Sequence, residues 1–195
     1  MSLPKFNPRT TILLLMIVAT AVLRVVFITD ANVSPLSNFS PLGAMALFGS
    51  AYFTRQWKAF AFPLVTLFLS DVFLSLTVYK EIISNINYGI WFWIYGAFAL
   101  MTIAGRLLLK KVTVSSVLIA SVAAVFIHWI VSDIGVWLHL TTYPKTADGF
   151  AACLIAAIPY ELKLLAGTVI YSSVLFVSFE WMQKSKFELR TKKYE

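Results

Sequence analysis

Six ionisable side chains lie inside or at the ends of apolar segments of this sequence, where a charge is costly. They are Arg24, Asp71, His128, Asp133, Glu161 and Lys163. On insertion scales a charge at the centre of a membrane helix costs about 2.5 to 3.5 kcal/mol, so such residues pair with one another or serve a function. They could orient a polar solute. In an intramembrane enzyme, Asp71 or Asp133 could instead act as an acid or base.

Four of these residues also have a structural explanation. Arg24 and Lys163 could extend to the lipid head groups. Asp71 could pair with Arg24 or cap a neighbouring helix. His128 is more typical of a helix-contact residue than of a metal or haem ligand, because no second histidine faces it at a suitable depth. The single cysteine, Cys153, excludes an internal disulfide and is typical of a small packing residue.

Aromatic side chains form two stripes at helical spacing beside these polar groups. Residues three and four positions apart share one face of a helix, so each stripe presents its rings to one side. The stripes consist of Tyr88, Trp91 and Tyr95, and of Trp129, Asp133 and Trp137. Membrane interfaces are rich in such residues, which is the alternative explanation. With the polar groups, the stripes predict an aromatic pocket that opens to the exterior.

The composition places these residues in a membrane protein. Of 195 residues, 59% are hydrophobic and 13% are charged, and the mean hydropathy is +0.81. The net charge of +7 is carried between the apolar segments. The lipid bilayer therefore explains this charge before nucleic acid does, and we expect no nucleic-acid partner. We expect one transmembrane domain over 1–182 and a charged cytoplasmic tail over 183–195.

The apolar segments predict an all-α integral membrane protein with six transmembrane helices. The predicted helices cover 10–28, 41–53, 59–78, 88–105, 112–136 and 160–182. The first has an internal arginine and no clear small-residue cleavage site, so we expect it to be a mature helix and not a signal peptide. Pro159 predicts a break between the last helix and a short extra helix at 147–158, for which Thr146 is the expected N-cap. Glu161 and Lys163 would then begin the last helix at the outer surface.

The second predicted helix is too short to cross a bilayer comfortably. Its length is about 20 Å, against a hydrocarbon core of about 30 Å. Its small residues favour close packing against neighbours. Asn38 and Ser40 can accept hydrogen bonds from the first-turn amides, and Pro41 suits the first helical position. This helix start could receive a polar or anionic group.

The distribution of basic residues predicts the orientation. One side holds Lys5, Arg9, Arg55, Lys58, Arg106, Lys110, Lys111, Lys184, Lys186, Arg190, Lys192 and Lys193. The positive-inside rule then places both termini in the cytoplasm and the loops 29–37, 79–87 and 139–146 outside. We predict ligand binding by Arg24, Asn38, Ser40, Asp71, Tyr88, Tyr95, Asp133, Trp137, Tyr143 and Lys145, without a metal site. Arg24 and Lys145 would attract an anionic group.

Several sequence motifs resemble one family. They are NFSPLGAMALFGSAYF at 38–53, LSD at 69–71, YGAFAL at 95–100, GVWL at 135–138, YPKT at 143–146, Cys153 and AAIPY at 156–160. Together they are similar to the small bacterial membrane proteins related to BtuM, which resemble solitary substrate-binding S components of energy-coupling factor transporters. The resemblance covers roughly 24–176. Between Arg24 and Asn38 this chain is longer than many relatives and has no histidine.

The resemblance implies a six-helix S-component fold in the bacterial cytoplasmic (inner) membrane, with an outward pocket. It implies uptake of a small vitamin-like solute, cobalamin or another corrinoid, which would be the transported ligand and not a cofactor. No nucleotide-binding motif is present, so ATP hydrolysis would come from an energising module, unless the chain works alone.

Two other functions stay open. A non-transporting membrane subunit or assembly factor would dock a partner on the small-residue face of the second helix. An intramembrane enzyme is less favoured, because the sequence has no GxSxG, HExxH or Walker motif and no paired intramembrane aspartates.

Overall fold

The computed structural model describes residues 39–53, 55–77 and 88–184, with the single positions 15, 18, 19 and 22. Every regular element in these ranges is a helix. The helices are α1 (Leu42–Tyr52), α2 (Gln56–Thr77), α3 (Tyr88–Leu108), α4 (Val114–His139) and α5 (Ala147–Lys184). Apart from those four positions, the predicted first helix lies outside the described residues, as do Arg24, Asn38, the loop 79–87 and the tail beyond 184.

Three helices of the described part are long and apolar enough to cross a bilayer. The stretches concerned are Gly89–Leu108, Val114–His139 and Ala147–Gln183. Large apolar side chains such as Ile119, Phe126 and Val177 are exposed on these helices, whereas the hydroxyls of Ser121 and Thr168 are buried. An apolar exterior of this extent suits lipid and not water. The prediction of an all-α membrane protein is therefore confirmed at this level.

The short helix α1 lies at the centre of the described bundle. All its residues except Ala51 are buried, and α2, α3, α4 and α5 all pack against it. A helix that is apolar on every side is stable only when surrounded by protein or lipid. Its 11 residues span about 16 Å, roughly half of a bilayer core. The prediction of a short, interior helix is confirmed, with ends one residue inside the predicted 41–53.

Close contacts between helices depend on glycine. A Cβ atom on Gly135 of α4 would lie 2.5 Å from the Cβ of Trp93 on α3, and one on Gly105 of α3 would overlap the Ser50 hydroxyl of α1. Small residues allow such close approach between membrane helices. The contact faces of α3 therefore require glycine both at Gly105 and on the facing helix at Gly135.

The start of α4 is fixed by a capping box. The Thr113 hydroxyl accepts a hydrogen bond from the backbone amide of Ser116 at 3.1 Å, and the Ser116 hydroxyl accepts one from the amide of Thr113 at 2.9 Å. Two amides that the helix itself leaves unbonded are thus satisfied. The helix begins two residues later than predicted and ends at His139 instead of at 136.

The predicted break at Pro159 was wrong, because α5 is a single helix of 38 residues that includes this proline. Proline removes one backbone hydrogen bond, but membrane helices tolerate this when neighbouring groups satisfy the freed carbonyl. The hydroxyl of Thr146 accepts a bond from the Gly149 amide at 3.2 Å, which agrees with the predicted N-cap. Glu161 and Lys163 consequently lie within a helix and not at its surface end.

Candidate functional site

Four chemically active side chains meet between α4 and α5. Nδ1 of His128 lies 2.9 Å from Oε1 of Glu161, and the thiol of Cys153 donates to Oδ1 of Asp133 at 3.7 Å. His128 and Asp133 belong to α4, and the other two belong to α5. We call these four residues the α4–α5 polar cluster.

Because α4 and α5 pack antiparallel, the position of each cluster residue can be given as its distance along the helix from the turn 140–146. Asp133 is six residues before the end of α4 and Cys153 six residues after the start of α5, so both lie about 9 Å along their helices from the turn 140–146. By the same rise, His128 lies about 16 Å and Glu161 about 21 Å from it. The cluster therefore extends from the turn towards the middle of the helix pair.

Hydrogen bonds to backbone carbonyls and one ring contact fix the positions of these side chains. The indole N–H of Trp129 donates to the Leu154 carbonyl at 3.1 Å and so links α4 directly to α5. The Ser132 hydroxyl donates to the His128 carbonyl at 2.7 Å within α4. Phe98 of α3 packs edge-on against the His128 ring, with centroids 5.3 Å apart. The imidazole is thereby restricted to the side facing Glu161.

The cluster leaves two carboxylate oxygens without hydrogen-bond partners. Asp133 is 7% exposed and Glu161 is 9% exposed, and Oδ2 of the first and Oε2 of the second are buried without a donor. Such a buried polar atom costs about 1 to 3 kcal/mol, and more when it is charged. The carboxyl groups of Asp133 and Glu161 also interact electrostatically. A proton on one of these oxygens, or a bound hydrogen-bond donor, would lower this free-energy cost.

The nearby lysines do not supply that donor. Lys163 Nζ lies 5.8 Å from the ring centre of Tyr160, and Lys145 Nζ donates to the carbonyls of Trp137 and Leu140 at the end of α4. Within the described ranges, the ion pairs found include no lysine or arginine with Asp133 or Glu161. Among the described residues, His128 is therefore the basic side chain that contacts a carboxylate of the cluster.

Two predicted site residues, Trp137 and Lys145, form hydrogen bonds that stabilise the turn 140–146. Besides the Lys145 bonds that close the end of α4, the indole N–H of Trp137 donates to the Pro144 carbonyl at 2.8 Å. The Trp137 ring packs 5.4 Å from that of Phe150. Tyr143 is half-buried in the same turn. A cation near the last carbonyls of a helix is favourable, which accounts for Lys145.

The remaining predicted residues lie on other elements. The Tyr95 hydroxyl of α3 donates to Oδ2 of Asp71 on α2 at 3.1 Å. Ser40 is buried before α1, and its hydroxyl accepts from the Leu42 amide at 3.3 Å. Tyr88 begins α3, with its side chain outside the description, as are Arg24 and Asn38. In the structure, Asp71 is therefore hydrogen-bonded to Tyr95, and Trp137 is hydrogen-bonded to the turn that contains Lys145. Asp133 belongs to neither of these two groups.

Three members of the cluster are not among the predicted site residues. The sequence predicts a packing role for His128 and Cys153 and a position at the surface end of a helix for Glu161. Helical phase carried through Pro159 would have put Cys153 and Glu161, eight residues apart, on similar faces of one helix. In the described part of the chain no group of three or more His, Cys, Asp or Glu residues is arranged to hold a metal ion.

The fold and the cluster define a helical membrane protein with buried acidic groups between two membrane-spanning helices. The chain belongs to DUF6580, a family of unknown function, whose profile matches residues 4–191. No curated protein and no solved structure matches the chain.

Proposed function

We propose that this protein is a six-span membrane protein that captures a small organic, vitamin-like solute at the outer face and takes part in its uptake. The observation that carries the proposal is the α4–α5 polar cluster, with its two buried, unpartnered carboxylate oxygens. Ionisable groups inside a membrane protein are costly and mark substrate or ion pathways.

The direction of capture is supported by the charge distribution. The loop 109–113, which precedes α4, carries Lys110 and Lys111, and Arg106 lies shortly before this loop. The opposite turn, 140–146, carries the single basic residue Lys145, so the positive-inside rule assigns this turn to the outside. Asp133 is the cluster acid nearest that turn. A solute that enters from outside would reach it before the rest of the cluster.

The resemblance to BtuM-related proteins supports the S-component fold, the bacterial inner membrane and a corrinoid as one solute to test. Cys153 is 2% exposed and donates to Asp133, so it offers no open thiolate for cobalt. A corrinoid would have to be bound by its polar side groups, with aromatic rings supplying the apolar contact. An ATP-hydrolysing module would supply energy unless the chain works alone.

The partner-subunit alternative loses its main support. It required the small residues of α1 as a docking face, but those residues are buried against other helices of the same chain. We therefore retain solute capture as the proposal.

Thermal stabilisation of the detergent-purified full chain tests it. Cobalamins, cobinamide and other vitamins are added separately, and a compound at about 100 times its dissociation constant should stabilise by about 2.7 kcal/mol. The stabilisation should be lost in Asp133→Asn and kept in Asp148→Asn, which changes an exposed acid in the first turn of α5. The absence of any shift in folded protein would refute the proposal, and an equal shift in Asp133→Asn would refute the assigned site.

A further inference from the structure

The charges of the α4–α5 polar cluster do not balance without a proton. Among the described residues, His128 is the basic side chain that contacts one of these acids, so at least one of the carboxylate charges of Asp133 and Glu161 would be uncompensated between two apolar helices. Burying an uncompensated charge costs several kcal/mol even after relaxation of the surroundings. One added proton brings the cluster to zero charge. It also turns one of the two unpartnered oxygens from an acceptor into a donor.

No other element packed against the cluster supplies a positive charge in the described residues. From α3, the cluster faces Phe98, which packs on His128, and Trp93, which packs on Gly135. From α1, whose sequence is LGAMALFGSAY, there is no Asp, Glu, Lys, Arg or His. From α5, the facing group is the thiol of Cys153, which already donates to Asp133.

Besides Lys163, which lies against Tyr160, the nearby cation among the described residues is Lys145, in the turn. It interacts electrostatically with Cys153, but its ammonium group donates to the carbonyls of Trp137 and Leu140 and is exposed. Water screens an exposed charge strongly, and Lys145 also neutralises the end of α4. It cannot replace a proton on a carboxyl that is itself more than nine-tenths buried.

A proton also fits the space better than a solute does. The two unpartnered oxygens have no accessible surface, so a bound organic cation would first require α4 and α5 to separate. A proton on one of these oxygens requires no such movement, because it needs no space of its own between the helices. The tight burial therefore favours the smallest ligand.

We propose that Asp133 and Glu161 together hold one proton at neutral pH, as a neutral proton-binding site with His128 between two membrane-spanning helices. The proton comes from water and returns to it, and no bond other than O–H forms or breaks. The consequence for uptake depends on the proposed function: the proton would be the coupled ion, released when α4 and α5 separate and a solute with a donor group reaches Asp133. Coupling of this kind would allow the chain to work without an ATP-hydrolysing module.

Infrared spectroscopy of the detergent-purified full chain tests the proton directly, without any solute. A carboxylic acid has a C=O stretching band separate from that of a carboxylate, and the band shifts when H₂O is replaced by D₂O. At pH 7 the wild type should show this band with an intensity of about one group per chain. The band should persist or move in Asp133→Asn or Glu161→Gln alone, because the remaining carboxyl can carry the proton. It should disappear in the double variant.

Asp148→Asn is the matched control and should leave the band unchanged. Should the double variant fail to fold, wild-type protein labelled with ¹³C at the carboxyl of aspartate or of glutamate assigns the band to one residue type. Absence of the band in the wild type at pH 7, or its survival at full intensity in a folded double variant, would overturn the proposal. A band without stabilisation by any solute would keep the proton site and refute only the uptake function.

Discussion

His128 and Glu161 are 33 positions apart in the chain, and Nδ1 of the first lies 2.9 Å from Oε1 of the second between α4 and α5. Their side chains are 16% and 11% exposed. A hydrogen bond of this length between largely buried side chains would break if one helix moved along the other. The pair therefore fixes the relative level of the two longest described helices, and with it the position of Asp133 beside Cys153.

Removal of Glu161 should be strongly destabilising. Glu161→Ala leaves the imidazole buried without its acceptor, and breaking a buried pair in this way costs about 3 to 5 kcal/mol. Glu161→Gln keeps an oxygen acceptor for His128 and should cost clearly less. Both are measured as the free energy of unfolding in detergent titrated with a denaturing surfactant.

Asp148→Asn serves as control in that experiment and should stay within about 0.5 kcal/mol of the wild type, as exposed substitutions usually do. An alanine variant as stable as the glutamine variant would contradict a structural contribution from the pair.

Gly43 should be intolerant of any side chain. A Cβ atom at this position of α1 would overlap the hydroxyl of Thr168 and lie 3.0 Å from its Cγ2 on α5. Thr168 is fully buried and branched at Cβ, so it has little freedom to turn away. Gly43→Ala should therefore lower the free energy of unfolding by about 1 to 3 kcal/mol.

Gly96→Ala is the matched control for that prediction, because a Cβ there would have no neighbour within 4 Å among the described residues. Alanine is the better helix former by about 1 kcal/mol, so this variant should be neutral or slightly more stable. Equal loss from both substitutions would show that α1 and α5 are not in contact at Gly43.

The turn between α4 and α5 should loosen when its indole hydrogen bond is removed. Trp137→Phe keeps a ring against Phe150 but removes the N–H that donates to the Pro144 carbonyl. A loss of about 1 kcal/mol is expected, with faster trypsin cleavage after Lys145 because its bonds to the helix end weaken. Trp91→Phe is the control, since its half-buried ring lies elsewhere, on α3. Unchanged cleavage in Trp137→Phe would argue against the described turn.

Much of the fold follows from local features of the sequence. The short interior helix α1 is predicted by its length, small residues and starting proline, and the start of α5 by Thr146. These features act within one or two helical turns, so they can be recognised without a structure. The predicted break at Pro159 was wrong because satisfaction of the freed carbonyl depends on neighbouring groups, which the local pattern does not contain.

The candidate site was less predictable for the same reason. Asp133 was selected from its depth in an apolar segment, but its neighbour Cys153 is 20 positions away, and the contact depends on how α5 is aligned with α4. Placing Glu161 at a surface followed directly from the predicted break. The pairing of Asp71 with Tyr95 likewise depends on the packing of α2 against α3, which hydrophobic periodicity does not determine.

Uptake from outside requires that the turn 140–146 faces the exterior, and thiol labelling can test this orientation. In a Cys153→Ala background, Thr142→Cys introduces a thiol in the turn 140–146 and Lys110→Cys introduces one in the opposite loop, both exposed positions. The positive-inside rule predicts that an impermeant maleimide labels the first in intact bacterial cells and the second only after permeabilisation. Labelling of both after permeabilisation controls for reactivity. The reverse pattern would place Asp133 near the cytoplasmic face, and capture of a solute from outside by the α4–α5 polar cluster would then be untenable.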